Sequence, residues 1–279
     1  MNERHLNLCW DVHWTCNYKC PYCWHKPMWD KMESYNYYPG IEKLSAVWKE
    51  VRDKYGKAFI VISGGEPLVY PGIAELLGEL SSLHAVNLIT NLSTDIEELL
   101  GKLGHDSDIR FGASFHPSHA EPNDFIKKAE RIRESGYGIT VNIVAWPPYI
   151  KKISKYRKIF KDRSFDLQVG EYAGNYGGAD YPAAYSAEER RELWGTGAKE
   201  QAQNPENPGR PIQCKAGYSY AVIRPDGQIS RCGGSGLLQA GTVIGNLFNP
   251  GLELLAEPNI CPVDSCPCNE YSTYELAVR

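Results

Sequence analysis

Two periods of apolar and polar residues alternate along the first two thirds of this chain. Residues 5–12 put Leu6, Leu8 and Trp10 at every second position, which predicts a first strand. Residues 41–54 place Leu44, Val47, Trp48 and Val51 on one face of a helix. Ala58-Phe59-Ile60-Val61-Ile62 is apolar without interruption, the pattern of a strand covered on both faces. The alternation then repeats four times, as helix 72–80 and strand 86–89, helix 94–103 and strand 109–113, helix 123–135 and strand 139–144, and helix 149–161 and strand 165–169. Six strands alternating with helices predict a parallel α/β sheet. Six units fall short of a closed ring of eight, so an open partial (β/α)6 barrel is expected, with a doubly wound sheet as the alternative.

Beyond residue 170 the pattern changes. Residues 171–213 lose all periodicity except a charged helical piece at 187–193, and Gly174, Gly177, Gly178, Pro182, Pro205, Pro208, Gly209 and Pro211 punctuate them. So long an irregular stretch reads as a wall over a site rather than a linker. Residues 218–224 and 228–231 form two short strands around Pro225-Asp226-Gly227, a tight-hairpin signal, and Gly245-Asn246-Leu247 leads into a short helix. The expected division is a barrel at 1–170, a loop region at 171–213 and a small module at 214–279.

In parallel α/β barrels chemistry gathers at the carboxyl ends of the strands. Here those ends carry the stretch 14–24, then Gly64-Gly65-Glu66-Pro67, Thr90 with Asn91, Ser114 with His116, Trp146, and Glu171. Composition narrows the chemistry. The net charge is −4 and no Lys/Arg block stands out, so the electrostatic footprint of a general nucleic-acid binder is absent. No apolar run is long enough to span a bilayer, and Met1-Asn2-Glu3-Arg4-His5 has no apolar signal core behind it; a cytoplasmic protein is expected. Nine Cys in that compartment point to metal or redox chemistry rather than disulfides.

The cysteines fall into two groups, Cys9, Cys16, Cys20 and Cys23 near one end and Cys214, Cys232, Cys261, Cys266 and Cys268 near the other, which suggests two metal centres. Cys9, within the first strand, reads as a small core thiol. Cys16, Cys20 and Cys23 can converge in one tight loop. A cubic 4Fe–4S cluster usually takes four thiolates, so three leave one iron open, the mark of a catalytic metal. Spacing alone equally allows a zinc site short of a ligand, or a disulfide with a spare thiol. A small tail module with little core of its own needs a metal to hold it.

The CxxxCxxC loop with Tyr22 before its last Cys, followed one strand later by Gly64-Gly65-Glu66-Pro67, resembles the radical S-adenosylmethionine enzymes over residues 6–169. The tail resembles their Twitch/SPASM auxiliary-cluster modules through Cys214, the hairpin, Cys232 and Gly245-Asn246-Leu247, although a full SPASM module needs seven Cys and this tail has five. The resemblance implies that Cys16, Cys20 and Cys23 bind a 4Fe–4S cluster whose open iron is chelated by S-adenosylmethionine. It implies cofactor contacts from Tyr22, Gly64, Gly65, Glu66, Asn91, Ser114 and Asn142, the glycines giving backbone a close approach. One auxiliary 4Fe–4S cluster would take Cys214, Cys232 and two of Cys261, Cys266 and Cys268.

The implied reaction uses one electron, from a donor such as flavodoxin or ferredoxin, to cleave S-adenosylmethionine to methionine and a 5′-deoxyadenosyl radical. That radical abstracts hydrogen from a small-molecule (sugar- or cyclitol-like) or peptide substrate, with net oxidation as the expected outcome. Epimerisation, maturation of a modified peptide, and a non-catalytic iron–sulfur electron carrier are the alternatives. His116, Glu171 and Arg224 are candidate substrate ligands or bases. The first strand begins within the first few residues, so no leader-binding domain is expected ahead of the barrel, which favours a small molecule.

Overall fold

A computed structural model describes residues 5–23, 25–26, 29–104, 106–195, 213–233, 243–261 and 273–276. In chain order its first elements are β1 (Asn7–His13), α1 (Trp29–Met32), α2 (Ile41–Tyr55), β2 (Phe59–Gly64), α3 (Ile73–Leu83), β3 (Ala85–Thr90), α4 (Glu97–Lys102), β4 (Ile109–Ser114), α5 (Pro122–Glu134), β5 (Gly138–Val144), α6 (Ile150–Lys161) and β6 (Leu167–Gly170). Strands β1 to β6 pair in chain order and all in parallel. A doubly wound sheet reverses its strand order partway; β1 to β6 do not, so every right-handed crossover among them leaves its helix on the same side. The partial barrel is therefore the architecture.

Alternation of side chains builds the core. On β1, Leu8, Trp10 and Val12 are buried, and the Trp10 ring meets Trp48 of α2 at 5.1 Å. Ile60, Ile62, Val86 and Leu88 continue the layer on β2 and β3. At the other end Phe115 packs edge-on against Phe125 and Phe160, joining β4 to α5 and α6. His84 is fully buried beneath this layer: Ala58 N–H donates to its Nδ1 at 3.1 Å and its Nε2–H donates to the Trp48 carbonyl at 3.0 Å.

Two helical and strand boundaries move inward from the expected ones for local reasons. The Asp95 carboxylate accepts from Glu97 N–H, so α4 begins there and not at 94. After α6 the chain turns through Ser164 in a left-handed conformation, and Phe165 is buried under the Arg133 guanidinium, which delays β6 to Leu167.

The region after Glu171 contains a hairpin that periodicity missed, β7 (Gly174–Tyr176) and β8 (Ala179–Tyr181), closed by Gly177 and Gly178, both at positive φ. All three residues of β7 are exposed and β8 is only three residues long, too little for an alternation to be read. The charged helix is α7 (Ala187–Trp194), started by a reciprocal Ser186–Glu189 capping box.

The tail holds β9 (Gln213–Cys214), β10 (Tyr220–Ile223), β11 (Gln228–Ser230), β12 (Val243–Asn246) and β13 (Asn259–Ile260). The β10–β11 hairpin forms as expected at Asp226-Gly227. Its placement was not legible: β10 pairs in parallel with β1, so the barrel sheet runs on into the tail as β12-β11-β10-β1-β2-β3-β4-β5-β6. The short helix expected after Leu247 is a turn, held by Phe248 N–H donating to the Asn246 side-chain oxygen. No described helix is long and apolar enough to cross a membrane. Trp24, Cys266 and Cys268 lie outside the described residues.

Candidate active site

The carboxyl ends of β1 and β2 are laced together by backbone. Gly65 N–H donates to the His13 carbonyl at 2.8 Å and Glu66 N–H to the Thr15 carbonyl at 3.0 Å. A Cβ on Gly64 would stand 2.1 Å from the His13 oxygen, and one on Gly65 2.0 Å from the Thr15 oxygen; Gly64 also has φ +127°. The close approach that demands glycine here is therefore to the backbone entering the cysteine loop.

Glu66 is the hub of the next contact. Its side chain is buried and accepts from Thr90 Oγ1 at 2.7 Å, Asn91 N–H at 2.6 Å and Leu68 N–H at 3.0 Å. Burial pushes its carboxyl upward in pKa while these three donors pull the other way. Its carbonyl accepts from His13 Nε2 at 2.7 Å. Asn91 then reaches back to the cysteine loop, its amide donating to the Asn17 side-chain oxygen at 3.2 Å. The ends of β1, β2 and β3 are thus one hydrogen-bonded unit.

Above this unit is a cavity of about 480 Å³. Cys16, Cys20 and Cys23 line it together with Gly64, Gly65, Glu66, Asn91, Ser114, His116 and Glu171. Its remaining wall is largely aromatic, from Trp14, Tyr18, Tyr22, Trp29 and Tyr172. Asn142 sits beside Ser114 across the β4–β5 ladder but is not among the lining residues. Arg224 also stands apart from the lining: its guanidinium lies 4.4 Å from the Tyr35 ring centre and 5.5 Å from that of Trp14, and bonds Asp226 and Gln228.

Tyr22 is wedged between Trp146, Tyr149 and His116, and its hydroxyl meets His116 Nδ1 at 2.9 Å. Burial, with the neighbouring His119 adding to it, lowers His116 to about 4, so its imidazole is neutral at ordinary pH. Glu171 faces Arg190 at 3.9 Å. Tyr185 fixes this rim: its hydroxyl accepts from Tyr172 N–H at 2.9 Å and donates to the Ala145 carbonyl at 2.7 Å.

The thiol trio fits an iron–sulfur cluster by its chemistry. All three face one cavity, burial pushes Cys20 up to about 12 and Cys16 in the same direction, and a nearby metal is what converts such thiols to thiolates.

Sequence reasoning did not single out His13, Trp14, Tyr18 or His25, and it noted Thr90 only as a strand end. For His13, Trp14 and Thr90 the position at a strand's carboxyl end was the usable signal, and for Tyr18 and His25 it was membership of the cysteine loop or its immediate continuation. In the tail, Cys214, Cys232 and Cys261 pack in one small cluster with Tyr220 and Leu276, and Cys9, expected as a small core thiol, packs half-buried against this cluster.

The sequence profile of the Radical SAM superfamily matches residues 15–167. No curated protein matches the chain. Solved structures similar in fold include Streptococcus suis SuiB bound to S-adenosylmethionine, 18% identical at a TM-score of 0.62, covering 88% of this chain and 64% of that one. SuiB bound to precursor peptide SuiA is likewise 18% identical at 0.62, with coverage of 90% and 64%. Native anSMEcpe with bound AdoMet and Cp18Cys peptide is 16% identical at 0.58, with coverage of 88% and 78%. The chain spans just under two thirds of the SuiB chain, and at these identities the likeness is one of fold.

Proposed function

Because the chain belongs to the Radical SAM superfamily, we propose that Cys16, Cys20 and Cys23 bind a 4Fe–4S cluster, with S-adenosylmethionine beside it in the same cavity. The enzyme then abstracts a hydrogen atom from a small molecule, sugar- or cyclitol-like, or from a peptide, and carries the substrate radical to net oxidation, its second electron passing to one auxiliary 4Fe–4S cluster held by the tail cysteines. When bound, the reduced cluster supplies the electron that splits the cofactor's S–C5′ bond into methionine and a hydrogen-abstracting 5′-deoxyadenosyl radical. A low-potential donor such as flavodoxin or ferredoxin provides that electron. The observation that carries this reading is the convergence of three thiols, the Gly64-Gly65-Glu66 turn and Ser114 on one cavity at the strand ends.

The chain's own residues hold and shield. Gly64 and Gly65 key the second strand's turn into the cysteine loop, and Glu66 locks that turn to Thr90 and Asn91. Tyr18, Tyr22, Trp29 and Tyr172 keep water from the reacting atoms. Net oxidation needs a proton acceptor, and the neutral imidazole of His116, inside the cavity, suits that task. Ser114 and Asn91 are cofactor contacts; Glu171 orients substrate. Asn142 and Arg224, outside the lining, act through their neighbours if at all.

A peptide substrate is favoured by one observation: two relatives in fold, SuiB and anSMEcpe, have been solved with a peptide bound. Anaerobically reconstituted protein given S-adenosylmethionine and dithionite should release 5′-deoxyadenosine. A protein that loads iron yet releases none is an electron carrier, and the proposal fails.

A further inference from the structure

Where β1, β10 and β11 lie side by side, alternate side chains enter two separate surroundings. Leu8, Trp10, Ala221, Ile223 and Ile229 face the main core. Cys9, Tyr220 and Val222 face the other way, into the cluster that holds Cys214, Cys232 and Cys261. The register explains this. Cys9 pairs with Val222, Val222 pairs with Ser230, and Cys232 follows Ser230 by two positions on the same face.

The other two thiols come to this face from a second pair of strands. Cys214 ends β9, Cys261 follows β13, and the two strands pair with each other. Arg231, next to Cys232, ties that pair to β11 by donating to the carbonyls of Ala216, Asn259 and Ile260 at 3.0, 3.1 and 2.8 Å. Four thiols from four separate segments thus pack in one small cluster, Cys214 buried and the other three half-buried. A cubic cluster takes one thiolate per iron from four such directions.

We propose that Cys9, on the first barrel strand, is a ligand of a 4Fe–4S cluster completed by Cys214, Cys232 and Cys261, so that this cluster staples the tail to the barrel. The inference rests on the reading that the tail binds an auxiliary cluster, and it adds a ligand which the tail itself does not contain. It also leaves Cys266 and Cys268 dispensable for that cluster.

The test uses the full chain with Cys16, Cys20 and Cys23 all changed to Ala, which leaves the tail as the iron site. After anaerobic reconstitution this variant should hold about four irons per chain and give a reduced-cluster EPR signal. Adding Cys9→Ala should cut the iron at least twofold. Adding Cys9→Ser, which keeps the size of the side chain, should shift the EPR g values or the midpoint potential even if iron is kept. Adding Cys266→Ala and Cys268→Ala should change neither. Full iron and an unaltered spectrum in both Cys9 variants overturn the assignment of Cys9 alone, as does loss of the cluster on removing Cys266 and Cys268. No iron in the parent variant, with circular dichroism still native, overturns the auxiliary-cluster reading itself.

Discussion

The two cysteine-bearing regions are held in different ways. The loop with Cys16, Cys20 and Cys23 is fixed by its neighbours along the barrel rim: Gly65 and Glu66 donate backbone bonds into it, and Asn91 reaches it through Asn17. The tail thiols are fixed by strand pairing at the sheet edge and by one guanidinium, that of Arg231. The first arrangement couples the thiols to the strand ends where substrate chemistry belongs. The second couples them to the frame. The lesson is that two groups of thiols in one chain are held so differently that the roles proposed for them, reaction in one place and attachment or electron transfer in the other, follow their surroundings.

The largest expected effect separates these roles directly. Cys16→Ala, Cys20→Ala or Cys23→Ala should abolish 5′-deoxyadenosine release, read by chromatography after dithionite reduction. Cys214→Ala with Cys232→Ala should leave uncoupled release in place while substrate turnover stops. Complete loss of release in that pair, in a chain still folded by circular dichroism, would erase the distinction.

The supports should fail as differently as the thiols do. Gly65→Ala drives a Cβ to 2.0 Å from the Thr15 oxygen, a backbone atom that cannot swing aside. It should cost about 3 kcal/mol or more and prevent loading of the first cluster, read as iron content against thermal midpoint. Arg231→Met removes three bonds to backbone carbonyls and should cost about 2 kcal/mol, confined to the tail. Hydrogen exchange should then show lost protection at β9 and β13 and little change at β2 and β3. Equal loss in both regions would mean that the clamp is not local.

Most of the barrel was legible because an apolar strand run and an amphipathic helix leave clear patterns, as Ala58 to Ile62 and the face of Leu44, Trp48 and Val51 do, although Phe59 and Val61 prove only partly buried and the strand is fully covered on one face alone. The site was legible as positions, since the strand-end residues Gly64, Gly65, Glu66, Asn91, Ser114, His116 and Glu171 all line one cavity. What they touch was not. The missing Cβ atoms of Gly64 and Gly65 make room for backbone, a fact of two loops crossing that neither loop encodes alone. The pairing of β10 with β1 joins residues more than two hundred positions apart, and no local period records it. Which of the two clusters Cys9 joins was hidden for that reason: its strand was legible, but the face it shares with Cys232 depends on that pairing.

Acid supplies the finest comparison, because all of the chain's histidines lie before residue 120 and none in the tail. Burial lowers His13 and His84 and brings His116 to about 4, each from an ordinary value near 6.5. A buried histidine that stays neutral while the unfolded chain binds its proton contributes stability above pH 6.5, and that contribution is lost as the pH falls toward the folded value. For His116 the loss runs from about 6.5 down to about 4. Glu66 runs the other way, since burial raises its carboxyl and acid then favours its protonation in the folded state, offsetting part of the loss. The barrel should therefore lose protection first on acidification, with exchange at β2 to β4 rising between pH 6.5 and 4 faster than at β10 and β11. His84→Gln, which removes one of the four lowered imidazoles, His13, His25, His84 and His116, should flatten that slope. A slope that stays the same, or a tail that opens first, would show that carboxylates and not the buried imidazoles govern the acid limit.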